Sequence, residues 1–99
     1  MNVELLFANA IATANPVVLK ELIAKGIGLR EKYPNSFPSK GVVNFFLLTN
    51  LVSKEDISFK NVFELVKQNN PEVGEVLNTL MGKAWLEKQV EDITNLYLK

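Results

Sequence analysis

The hydrophobic positions of this chain fall into blocks whose spacing is helical almost throughout. The densest block is Val42-Val43-Asn44-Phe45-Phe46-Leu47-Leu48-Thr49-Asn50-Leu51-Val52. A segment this apolar must be covered on most sides, by the rest of the chain or by a second copy. Its polar members, Asn44, Thr49 and Asn50, do not alternate, which argues against a half-buried strand. Val42, Phe45, Leu48 and Val52 form one helical stripe; Val43, Phe46, Leu47 and Leu51 form another. Ser39 is available as a cap. The pattern predicts a central buried helix over about 42–52, with a buried strand as the alternative.

The punctuation around this block sets out the other elements. Asn2 can cap a first helix through about Thr13, with Glu4 in its first turn and Leu5, Leu6, Ala8, Ile11 and Ala12 on its buried side. Asn15-Pro16 starts a second helix, because Asn caps and the missing N–H of Pro costs nothing at the first helical position. That helix ends near Lys25, with Gly26 left-handed and Ile27 folding back on Leu22. Gly28 to Tyr33 predicts a further helical turn, and Tyr33-Pro34-Asn35-Ser36-Phe37-Pro38-Ser39-Lys40-Gly41 a crossover loop. Ser53-Lys54-Glu55-Asp56 reads as a turn, after which Ser58 caps a helix. Phe59, Val62, Phe63 and Val66 give that helix the clearest amphipathic spacing in the chain.

Asn70-Pro71 repeats the earlier start signal, a match that shared capping chemistry explains more simply than duplication. From Pro71 a last helix can run almost to Lys99. Val73, Val76, Leu77, Leu80, Met81 and Ala84 make one stripe; Leu86, Val90, Ile93 and Tyr97 make a second, rotated from it. Gly82 near the change marks a kink or a close packing contact. Unbroken, such a helix would be roughly 42 Å long. A domain of this length has a radius of gyration of about 13 Å, so the helix either breaks or projects toward a partner. The expected fold is all-α: a compact bundle of four or five helices around the central apolar helix, with a long C-terminal helix. We read residues 1–99 as a single helical domain with 33–41 as an internal crossover.

Composition narrows the chemistry more than the fold. At 47% hydrophobic, the 99 residues lie toward the upper end for a soluble domain, which leaves apolar surface for a partner. Eleven Lys plus Arg balance eleven Asp plus Glu; that argues against a dedicated nucleic-acid binder and removes one defence against self-association. The absence of both His and Cys excludes disulfides, the usual zinc ligand sets, and Ser–His or Cys–His catalysis. No segment reaches the about 20 apolar residues that a membrane-spanning helix needs. Leu5 to Ala14 ends in a signal-peptidase-like Ala12-Thr13-Ala14, but the stretch before it lacks a cation and carries Glu4. A first helix, and the cytoplasm as default location, are expected instead.

Four groups of residues invite a functional reading. Glu72 with Glu75, and Glu87 with Glu91, share helical faces and could hold Mg²⁺ or do acid–base work. Lys83 before Glu87 and Lys88 before Asp92 suit an ordinary solvated surface better, so no metal, cofactor or catalytic residue is expected. Lys25, Arg30, Lys32 and Lys40, interleaved with Tyr33 and Phe37, could engage a phosphate backbone; the simpler reading is a solvated bend with its aromatics tucked inward. The basic middle and the acidic C-terminal helix could steer two copies together, or be chance scatter. Trp85, Leu86, Tyr97 and Leu98 are candidate partner anchors, against the alternative that Trp85 lies in the core under the central run. There is no Gly-rich phosphate loop and no Gly-x-Ser-x-Gly elbow.

The reading favoured is a small non-enzymatic interaction module, self-associating as a dimer or serving as a subunit or adaptor in a larger assembly. The alternatives are a nucleic-acid-binding helical domain using segment 25–40, and a small viral or mobile-element protein that blocks a larger partner.

Overall fold

In a computed structural model, residues 3–34, 41, 44–45, 48–49 and 53–98 are described. Among them the helices with described bounds are α1 (Val3–Ala12), α2 (Pro16–Lys25), α3 (Leu29–Lys32), α4 (Phe59–Asn69), α5 (Pro71–Leu77) and α6 (Leu80–Tyr97), with a 3-10 turn at Lys54–Asp56 before α4. No strand occurs among the described residues, and the all-α bundle expected from the periodicity is the fold.

Local chemistry sets the helix ends. The Asn15 side chain accepts from the Val17 N–H at 2.9 Å, opening α2. At its other end Gly26 is left-handed with φ 67°, and the Ile27 N–H donates to the Leu22 carbonyl at 2.9 Å, as a Schellman ending requires. The Asn70 side chain accepts from the Val73 N–H to open α5 and also donates to the Ala12 carbonyl at 2.9 Å. Ser58 occupies the cap position of α4, but its hydroxyl makes no capping bond. Its backbone N–H donates instead to the Glu4 carboxylate at 2.7 Å, so the buried Glu4 ties the start of α1 to the start of α4. Asn2 and Ser39, the other expected caps, lie outside the described residues.

At the far ends of the same two helices, Asn69 donates to the Asn9 side chain at 2.8 Å. With Glu4 and Ser58 joined at one end, α1 and α4 therefore run parallel. Parallel neighbours cannot be joined by a tight turn, so the chain between them has to cross over. α1 packs along α4, α4 against α5, and α2 against α5 and α6. Ile11, Leu19, Val62, Val66, Val73, Leu77 and Leu86 are fully buried where these helices meet. Leu5 and Leu6, expected inside, are half-buried, and Val3 and Phe7 take the inward places. A helix apolar on nearly every side does not announce which face it will bury.

Two described residues of the central run depart from the expected burial. Gly41, Asn44, Phe45, Leu48 and Thr49 are helical, as expected, but Phe45 is 63% and Leu48 81% exposed. The buried cluster of described residues is instead built from α1, α2, α3, α4, α5 and α6. The other members of 42–52 lie outside the described residues, as do 35–40 of the crossover.

The last helix breaks, at Asn78–Thr79 and not at Gly82. The Thr79 hydroxyl accepts from the Gly82 N–H at 2.9 Å and starts α6 afresh. Gly82 is the close contact: a Cβ there would lie 2.6 Å from the Val76 carbonyl oxygen and 2.7 Å from the Leu77 Cα. The break keeps each helix within the molecule, whose longest dimension is 35 Å. It also turns Leu80, Met81 and Ala84 outward, whereas the stripe Leu86, Val90 and Ile93 is buried and Tyr97 half-buried.

Candidate functional site

The residues expected to anchor a partner are spent inside the chain. Trp85, Leu86 and Leu98 are buried and Tyr97 is half-buried, so the anchor assignment is corrected to a core role. The Trp85 indole N–H donates to the Ile27 carbonyl at 2.9 Å, which places the ring under the bend after α2. One turn on, the buried Gln89 accepts from the Leu29 N–H and donates to the Trp85 carbonyl, both at 3.3 Å. Trp85 and Gln89 together satisfy the backbone of the bend between α2 and α3, which has no helical partner of its own. The sequence reading missed Gln89, because one polar residue between two apolar stripes carries no signal of burial.

Two described cations of the segment proposed for nucleic acid have partners within the chain. Lys25 pairs with Glu21 at 2.9 Å, and this hydrogen bond and the lysine charge hold the Glu21 carboxyl below its ordinary pKa. The Arg30 guanidinium lies over the Tyr97 ring, 5.2 Å from its centre, and so covers the end of α6. Lys32 and Tyr33 are exposed, while Phe37 and Lys40 lie outside the described residues. A cleft of about 360 Å³ beside Arg30 is also lined by Glu31 and Asp92, whose charges oppose an anion there. Glu72, Glu75, Glu87 and Glu91 are exposed, and no group of three or more candidate ligands that could hold a metal ion forms among the described residues.

The surface feature that stands out is a groove of about 580 Å³ between α2 and α5. Pro16, Val17, Lys20 and Ala24 supply the α2 wall, and Glu72, Glu75 and Thr79 face them. Ile23 and Val76, both 8% exposed, form the floor, and Met81 from the start of α6 adds a flexible thioether. Val17 is 75% exposed and Met81 60%, with Leu80 next to it at 87%. Pro16 and Val17 at the start of α2 form one edge of the groove, and the Thr79 cap leaves Met81 outside the core at the other. The Asn78-Thr79 pair was the sequence signal for this break, and the unbroken apolar spacing across it hid the signal.

No single described helix is long and apolar enough to cross a membrane. Comparison with known protein families, with curated proteins and with solved structures finds no match to this chain.

Proposed function

We propose that this protein is a small non-enzymatic protein–protein interaction module of the cytoplasm, and that the groove between α2 and α5 is its binding face. The observation that carries this reading is the exposure of Val17 and Met81 around an apolar floor. Large hydrophobics grouped around a concavity mark contact surfaces, whereas isolated ones need no explanation. Met81 suits such a role, because an unbranched thioether adapts its shape to what it meets. Polar groups at the rim, Lys20, Glu72 and Glu75, give the orientation that an apolar floor cannot. The absence of His and Cys from the chain supports a binding role over a catalytic one.

A photo-crosslinking amino acid placed at Val17 tests this in cells that make the protein, with the exposed Lys60 of α4 as the control position. The expected result is a discrete protein adduct at Val17, absent at Lys60 and lost when Met81→Glu is added. Equal labelling at both positions, or an adduct indifferent to Met81→Glu, overturns the reading.

A further inference from the structure

We propose that the groove's occupant is a second copy of this chain, docked about a two-fold axis that runs along the groove. Each copy's Lys20 then faces Glu72 and Glu75 of the other copy. This rests on the reading of the groove as an interaction face.

The argument is the distribution of charge across the mouth. Lys20 stands on the α2 wall, and Glu72 and Glu75 stand on the α5 wall. Among the described residues the side chains of these three have no hydrogen-bond or ion-pair partner. A two-fold axis lying along the groove sets the α2 wall of one copy against the α5 wall of the other. Each charged contact between these walls is then positive to negative, and it occurs twice by symmetry. An axis across the groove would instead put Lys20 against Lys20 and the glutamates against glutamates, which is repulsive. One of the two ways to pair this face with itself is thus complementary. Val17 and Met81, exposed in the single chain, meet apolar surface within the ring of charge. Equal numbers of cations and anions in the chain leave no long-range repulsion between copies.

Light scattering coupled to size exclusion of the purified chain, up to millimolar concentration, tests the proposal. The wild type is expected at twice the 11.1 kDa chain mass. Lys20→Glu alone, and Glu72→Lys with Glu75→Lys, should each raise the dissociation constant by about tenfold or more, because attraction becomes repulsion at two symmetric sites. Mixed in equal amounts, the two variants should form a heterodimer as tight as the wild type, since each wall again meets its opposite. Circular dichroism verifies that these exposed substitutions leave the helices intact. A wild type at single-chain mass throughout overturns the dimer. So do charge variants that dimerise as the wild type does, or a mixture that fails to pair. If the wild type is monomeric while the Val17 cross-linker still captures a different protein, the homodimer fails and the interaction module stands. If that adduct is also missing, both fail.

Discussion

A methyl group on Gly82 would meet the backbone of Val76 and Leu77 at 2.6 to 2.8 Å, and backbone cannot swing aside as a side chain can. Gly82→Ala is therefore expected to destabilise the protein by about 1–3 kcal/mol, read as a lower urea midpoint with little change in slope. The periodicity singled out Gly82 without deciding between a kink and a contact, because glycine serves both. Trp85 shows the same ambiguity in energetic form. A large aromatic with one donor suits a partner's pocket and a core equally, and only the position of Ile27 decides which it fills. Trp85→Phe shrinks a buried ring and leaves the Ile27 carbonyl without its donor, at a cost of at least about 1–3 kcal/mol in the same urea titration. In the folded protein the single tryptophan should emit to the blue of free tryptophan and shift red through the unfolding transition.

For whole elements, the helix starts were the most legible feature, since Asn before Pro is local chemistry. The two starts are nevertheless unequal in what they hold. Asn15 caps α2 at an exposed site, whereas Asn70 caps α5 and also donates to the Ala12 carbonyl, joining α1 to the junction of α4 and α5. Asn15→Ala should cost about 1 kcal/mol and Asn70→Ala about 2, compared by thermal melts. The 3-10 turn before α4 makes a pH prediction. Asp56 accepts the Ser53 N–H at 2.7 Å and its hydroxyl at 2.9 Å, and these bonds lower its pKa. The stability so gained is present above the ordinary Asp value of about 3.9 and is lost as pH falls through the lowered folded value. The melting difference between wild type and Asp56→Asn should thus be widest near neutrality and close in that acid range. The break at Asn78–Thr79 was not legible, because Leu80, Met81 and Ala84 continue the apolar spacing while the helix they belong to has been restarted and turned.

Across the whole molecule, helicity and a bundle could be read from spacing, but the exposure of particular apolar stripes could not. Hydropathy ranked 42–52 first, yet its described members Phe45 and Leu48 face outward while the less conspicuous α1, α4, α5 and α6 close on one another. Spacing along a chain says which residues share a face, and says little about which faces meet. The pins that decide it are long-range. Glu4 to Ser58, Asn9 to Asn69, Ala12 to Asn70, Ile27 to Trp85 and Leu29 to Gln89 each join residues 54 to 60 apart in sequence. On a ribosome, these bonds impose an order of events. When α1, α2 and α3 leave the exit tunnel, the residues that these bonds join them to are still inside it or not yet translated. Vectorial synthesis thus gives the N-terminal third no resting structure of its own. It must stay open, or be held by a chaperone, until α6 emerges.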